Sequence, residues 1–213
     1  MRVYLSPSGQ IHNEYAYGNY TEAQVCRMIA SKCKSYLNKG GADVVVAEPY
    51  DNDAQWKARI NESDNFKADY HVPIHTNAGG GHGVRVFTSK KNIDDERAIR
   101  CCANIKKILP DKFKKGGISV QNNLYEINAP KAKTIYIECA FHDNKGESQW
   151  IVEHVDALGK AIAEALLLKE VKENSELYRV QVGAYSKREN AENMAKELES
   201  KGYKTIIKVD GID

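Results

Sequence analysis

The sequence predicts an α/β protein: a three-layer domain with a mostly parallel central sheet, followed by a small C-terminal βαβ unit. Short apolar, β-branched runs alternate with longer segments of helical periodicity over most of the chain. Long helical segments between apolar strands are typical of parallel sheets, whose crossover connections they form. A charged segment without an apolar face then separates residues 1–170 from a last strand–helix–strand pattern.

The composition is that of a folded globular chain. Of the 213 residues, 42% are hydrophobic and 28% are charged. Lys and Arg (31) nearly balance Asp and Glu (29), so the net charge of +2 gives no reason to expect a nucleic-acid partner. The longest apolar run, residues 161–168, is far shorter than the ~20 residues that span a bilayer, so no membrane insertion is expected.

The elements of the first domain follow from the spacing of apolar residues. Thr21 and Gln24 form the pattern of a capping box at the start of the first helix, and Gly40-Gly41 ends that helix. The run 42–47 is apolar after Asp43, as in a strand buried on both faces. Strands are predicted at 3–6, 42–47, 68–75, 84–88 and 133–140, and helices at 21–38, 51–65, 94–109 and 148–168.

The chain beyond the first domain is predicted to be a linker and a small unit. Residues 171–176 are mostly charged and form the linker. Strands at 177–183 and 203–209 flank a helix with an apolar stripe, made of Ala191, Met194, Ala195 and Leu198. A unit of this size seldom forms a stable core alone, and its sheet edge would be unpaired. We therefore expect it to be disordered, to pack on the first domain, or to form a homodimer with a second chain.

The cysteines and the first residues bear on the compartment. Five cysteines are an odd number in a chain of this length, which favours reduced thiols over disulfides. Residues 1–6 run directly into a strand and lack the basic start, apolar stretch and cleavage site of a secretory signal. The expectation is synthesis in the cytoplasm without a signal peptide.

Four side chains with metal-binding or acid–base chemistry lie at predicted strand ends or helix starts. His12 follows the first strand, Glu22 begins the first helix, His75 ends a strand, and Glu138 lies within the strand 133–140. Ligands collect at the carboxyl ends of parallel strands. Two imidazoles and a carboxylate there could form a hydrolytic zinc site, with another carboxylate free for proton transfer. Taken singly, His12 also fits a surface residue, and Glu22 a favourable helix-dipole contact.

Three stretches together carry a family resemblance. Residues 58–61 with 67–78 resemble R-x-x-N…A-D-x-x-x-S-I-H-x-N-A, with Pro73 in place of Ser. Residues 83–87 resemble the strand after it, and residues 137–144 resemble E-x-x-F-x-x-N. In these motifs the chain resembles the zinc-dependent N-acetylmuramoyl-L-alanine amidases of amidase type 3. The D-P-G-H-G-G opening of that family is replaced by LSPSGQIHN at residues 5–13, which is similar to clostridial and bacillar amidases and phage lysins.

The resemblance implies hydrolysis of the amide between N-acetylmuramic acid and L-alanine. The roles it implies are zinc ligands His12, Glu22 and His75, catalytic base Glu138, and substrate-binding residues Asn77 and His82. His71 is a rival to His75 as ligand, but only His75 is followed by x-Asn-Ala. A zinc peptidase that cuts within the stem peptide, and a non-catalytic wall-binding protein, are the alternatives.

The C-terminal unit carries a second resemblance. Residues 178–186 (YRVQVGAYS) and the helix after them resemble the first half of a SPOR domain, a βαββαβ module that binds peptide-free glycan. The expected partner of the whole chain is therefore peptidoglycan, through both its stem peptide and its glycan strand. A wall substrate without an export signal implies release at lysis, through a phage holin or when a sporulating mother cell lyses.

Overall fold

A computed structural model describes residues 1–48, 56–171 and 181–209. The chain divides into two compact units, Met1–Lys172 and Glu173–Asp213. No helix in the described ranges is long and apolar enough to cross a membrane.

The first unit is built on one mixed sheet in which most neighbouring strands are parallel. Its strands run in the order β2-β1-β3-β7-β4-β5, and β6 pairs with β3. The pairs among β1, β2, β3, β6 and β7 are parallel, as is β4 with β5; β4 and β7 are antiparallel. The strands are β1 Arg2–Pro7, β2 Asp43–Val46, β3 Tyr70–Asn77, β4 Val84–Thr88, β5 Gly116–Val120, β6 Lys133–Thr134 and β7 Tyr136–Phe141.

Helices cover both faces of this sheet. Val3 and Leu5 of β1 lie in the main apolar core with residues of α1, α3 and α6. Tyr4, between them on the opposite face, donates a hydrogen bond to Glu62 of α2. This arrangement confirms the predicted three-layer α/β class. The helices of the unit are α1 Glu22–Lys39, α2 Trp56–Phe66, α3 Glu96–Ile108, α4 Tyr125–Asn128, α5 Lys145–Glu153 and α6 Val155–Leu167.

Several predicted elements differ from the observed ones. The predicted helix 148–168 is two helices, because His154 has φ −124° and ψ 26°, outside the helical region. The strand predicted as buried, β2, is an edge strand whose last two residues are only half-buried, because β1 alone pairs with it. Residues 51–55 of the predicted second helix lie outside the described residues. The Thr21–Gln24 capping box is confirmed.

The sequence pattern did not indicate two short elements, β5 and α4, and the single strand predicted at 133–140 is divided into β6 and β7. Strand β5 begins with Gly116-Gly117, β6 has two residues, and α4 has four. Elements this short contain too few residues for periodicity to separate strand, helix and loop.

In the C-terminal unit the structure confirms the helix, α7 Arg188–Ser200, but not the strands. Residues 181–183 and 203–209 form no strand, and the remainder of the first predicted strand lies outside the described residues. A strand needs a neighbour for its N–H and C=O groups, and the described part of this unit contains none. Val182, Ile206 and Val209 are accordingly 61%, 87% and 64% exposed.

Helix α1 is positioned by its contact with α6. Gly159 of α6 faces α1 so closely that an added Cβ would stand 2.6 Å from Lys32 Cβ and 2.7 Å from the Cys33 nitrogen. This close contact sets the distance between the two helices, and α1 begins with Glu22.

Replacing Gly159 with Ala should lower the free energy of unfolding by about 1–3 kcal/mol, because the methyl group meets backbone that has little room to shift. Urea unfolding followed by circular dichroism measures the change. The control is Gly117→Ala, where an added Cβ meets no atom within 4 Å. Equal stability of Gly159→Ala and the wild type would contradict the prediction, because it would show that α1 and α6 move apart enough to accept the methyl group at no cost.

Candidate active site

The candidate site lies where the carboxyl ends of three neighbouring strands meet. β1, β3 and β7 are adjacent and parallel, and His75 of β3 is in register with Glu138 of β7. Glu22, the first residue of α1, is buried beside them, with its Oε1 atom 2.9 Å from His75 Nδ1. The structure thus brings Glu22 and His75 into direct contact with each other, 53 residues apart in sequence.

Glu22 is held as a carboxylate by hydrogen-bond donors. Asn13 donates to its Oε2 atom at 3.0 Å, and the Thr76 N–H lies 3.3 Å from Oε1. Burial alone would raise the pKa of Glu22, but its hydrogen bond to His75, the charge of His75 and the hydrogen bonds of Asn13 and Ser8 lower it below its ordinary value. The carboxylate is therefore ionised at neutral pH.

His75 is oriented from two sides. Its ring stacks on Tyr136 with centroids 4.7 Å apart, while Nδ1 faces Glu22. Burial would lower the pKa of His75, but the hydrogen bond and charge of Glu22, with the charges of Glu138 and Glu126, raise it. His71, the rival ligand, is fully buried, stacks on Tyr4 and lies 3.3 Å from Glu126 instead. The contact with Glu22 favours His75 over His71 as the candidate ligand.

Glu138 has an environment opposite to that of Glu22. Burial, the largest cause, raises its pKa to about 7; the charge of His75 lowers it, and that of Glu22 raises it. Its Oε2 atom is buried without a hydrogen-bond partner among the described residues. A carboxyl group with these properties is suited to exchange a proton near neutral pH.

His12 is exposed in a turn of the loop that follows β1. In residues 1–48, 56–171 and 181–209, no three His, Cys, Asp or Glu side chains are arranged to hold a metal ion. The structure therefore brings together Glu22 and His75 of the predicted ligand set, but not His12. An imidazole and a carboxylate in contact, beside an unpartnered buried carboxylate oxygen, nonetheless fit the donors of a hydrolytic zinc site.

The two predicted substrate-binding residues flank the glycine-rich loop after β3. Asn77 accepts the N–H of Ala78 through its side chain at 2.8 Å. His82 lies 2.7 Å from the fully buried Glu147, and its side chain is 34% exposed. Asp143 accepts the N–H groups of both Gly79 and Gly80, so this loop is fastened to the segment after β7.

A polar cluster around Ser6 was missed by the sequence analysis. The Ser6 hydroxyl donates to Glu126 Oε1 at 2.6 Å, and Arg59 donates to the Pro7 carbonyl at 2.6 Å. The charge of Glu126 also acts on His75, so Glu126 is a third carboxylate at the site. The only signal in the sequence was a single acidic residue in the segment LYEIN, which has no periodicity of its own.

The chain belongs to the N-acetylmuramoyl-L-alanine amidase family (Amidase_3), whose family model matches residues 6–167. A SPOR domain model matches residues 174–212. Over 216 residues the chain is 25% identical to the sporulation-specific N-acetylmuramoyl-L-alanine amidase of Bacillus subtilis, covering 97% of this chain and 84% of that protein. It is 24% identical to the N-acetylmuramoyl-L-alanine amidase CwlM of Bacillus licheniformis, covering 77% and 66%.

The fold of this chain also resembles that of solved structures. The catalytic domain of the CD27L endolysin targeting Clostridia difficile superposes with a TM-score of 0.67 at 22% identity, over 81% of this chain and 99% of that one. The protein is a peptidoglycan amidase that cleaves the bond between N-acetylmuramic acid and L-alanine, and it acts on the cell wall. This confirms the predicted activity over the peptidase and the non-catalytic alternatives.

The raised pKa of Glu138 predicts a pH-dependent effect on stability. A carboxyl group whose folded-state pKa is about 7, against an ordinary value of 4.5, destabilises the fold when it ionises. The loss of stability is absent below the unfolded pKa, grows as the pH rises from there to the folded pKa, and is complete above it.

Glu138→Gln should therefore raise the free energy of unfolding of the metal-free protein by about 3 kcal/mol at about pH 8, and by much less at about pH 5. Urea unfolding in the presence of a chelator, at both pH values, measures the difference. A gain of the same size at both pH values would mean that the carboxyl does not titrate in this range.

Proposed function

We propose that the amidase uses zinc, that Glu22, His75 and His12 hold the ion, and that Glu138 is the general base. The observation that supports this most directly is the 2.9 Å contact between Glu22 and His75, with the unpartnered Oε2 atom of Glu138 nearby. Zinc in such a site supplies Lewis acidity, which acidifies water and polarises a carbonyl.

Glu138 carries the proton transfers. With a pKa of about 7, it is substantially ionised at neutral pH and takes a proton from the attacking water. The protonated carboxyl then donates that proton to the leaving nitrogen of L-alanine, because an amine anion is a very poor leaving group. A base whose pKa lies near the working pH serves both steps.

Glu22 and His75 hold their positions through contacts that do not involve Glu138. Asn13 and the Thr76 N–H fix the Glu22 carboxylate, and Tyr136 supports the His75 ring. These contacts orient the oxygen and nitrogen atoms toward each other, so less rotamer freedom is lost when they bind an ion.

Glu138→Gln should retain bound zinc and lose activity by about 10²–10⁴-fold, because the amide keeps the shape of the side chain but accepts no proton. His75→Ala should lose the metal together with activity. Metal content by plasma mass spectrometry and release of new L-alanine amino termini from purified wall give the two readouts.

The control is Glu153→Gln, an exposed carboxylate on α5. It should match the wild type in both readouts. If Glu138→Gln cleaved the wall at the wild-type rate, another residue would be the base.

The assignment of His12 depends on the loop that joins β1 to α1. Asn13, the next residue, contacts Glu22 twice: its side chain donates to Oε2, and its carbonyl accepts the Glu22 N–H at 2.8 Å. His12 therefore precedes, in the sequence, a residue that contacts the Glu22 carboxylate. The side chain of His12 is exposed, so burial does not hold it in one rotamer.

His12→Ala should lower the zinc content of the purified protein and weaken its affinity for zinc, with activity restored in part by excess metal. Competition with a chromogenic chelator measures the affinity. The control is Asn13→Ala, which removes the hydrogen bond to Glu22 but no proposed ligand, and it should bind zinc more tightly than His12→Ala does. Wild-type affinity in His12→Ala would assign the third ligand elsewhere.

We propose a separate role for the C-terminal unit, which is the binding of glycan that has lost its peptides. The support is the SPOR match over residues 174–212. The amidase removes peptides from the glycan strand, so its product would be the ligand of this unit. The homodimer through this unit and the release of the enzyme at lysis stay predictions.

A further inference from the structure

Two aromatic side chains meet on the surface of the first unit, away from its core. Trp56 is the first residue of α2, and Tyr125 is the first residue of α4. Their ring centroids are 4.6 Å apart with the planes tilted by 55°, and Tyr125 is 57% exposed. Lys57 lies 5.0 Å from the Trp56 ring centroid. Large aromatic side chains gain free energy by burial, so an exposed tyrosine packed against a half-buried tryptophan is typical of a binding surface.

The structure connects this pair to the candidate active site through Ser6. Arg59 lies one turn along α2 from Trp56 and reaches the end of β1, with its guanidinium 3.5 Å from the Ser6 hydroxyl. Glu126, next to Tyr125, accepts the hydrogen bond of the same hydroxyl. Both aromatic residues therefore extend from short segments that are anchored at the carboxyl end of β1, beside the strand that carries His75.

We propose that Trp56 and Tyr125 form a subsite that stacks against a sugar ring of the glycan strand, next to the muramic acid whose amide is cleaved. This inference rests on the amidase activity and is independent of the zinc ligands and of the base.

The chemistry of the substrate favours a sugar over a peptide at this position. The scissile amide joins the lactyl group of the muramic acid, so the glycan strand runs past the site within the length of that group. Pyranose rings present flat faces of C–H groups, which pack against aromatic rings, and hydroxyl groups, which accept hydrogen bonds from an ammonium such as that of Lys57. The aromatic pair supplies the first kind of contact, and Lys57 supplies the second.

The test measures inhibition of the full-length enzyme by peptide-free glycan strands, with a soluble disaccharide-peptide as substrate. Tyr125→Leu and Trp56→Leu should each raise the inhibition constant about 3- to 10-fold, because they remove an aromatic face but keep apolar volume. Tyr125→Phe and Trp56→Phe should restore inhibition to within about 2-fold of the wild type, since the ring is what stacks.

The control is Ile99→Ala, an exposed apolar residue of α3 that is 47% exposed and remote in sequence from both rings. Its inhibition constant should equal that of the wild type. The proposal is overturned if the Leu variants are inhibited as the wild type is, or if they weaken inhibition by free stem peptide while leaving inhibition by glycan unchanged. The SPOR-like unit is identical in every variant, so glycan held there contributes equally to every inhibition constant compared.

Discussion

The contact between Glu22 and His75 is the constraint on which the site depends. A buried carboxylate is strongly unfavourable unless charge and hydrogen bonds compensate for lost hydration. Here the imidazole, Asn13 and a backbone N–H provide that compensation. The contact forms only if β3 lies beside β1 and α1 begins at the carboxyl edge of the sheet, so the fold and the site are specified together.

Two carboxyl groups that face the same imidazole have pKa values shifted in opposite directions. Hydrogen-bond donors lower the pKa of Glu22, whereas burial raises that of Glu138 to about 7, and the Oε2 atom of Glu138 has no hydrogen-bond partner among the described residues. Two carboxyl groups with separated pKa values can serve two roles, one as a permanent anion and the other as an acid and base. The parallel pairing of β3 with β7 places Glu138 next to His75, and the first residue of α1 places Glu22 there.

The face of the sheet that carries His75 and Glu138 also carries a polar layer that binds no metal in our proposal but shapes the rim. Arg59 from α2 and Glu126 from α4 converge at the end of β1, and this convergence holds the short α4 in place. On the other side of the site, Asp143 and Glu147 accept backbone N–H groups of the glycine-rich loop. Both sides of the site are therefore held by carboxylates that are buried or that accept backbone N–H groups.

The sequence by itself determined the α/β class and the long helices, and it indicated Glu22, His75 and Glu138 as candidate site residues, because periodicity and short motifs are local signals. It did not indicate β5, α4 or the contacts of Glu126, since these depend on partners distant in the chain. It also predicted one helix where His154 divides two, and strands at the C-terminus that have no described neighbour. Only the tertiary structure decided which side chains meet: it joined Glu22 to His75 and left His12 exposed, because that outcome depends on the path of a loop, which no local pattern specifies.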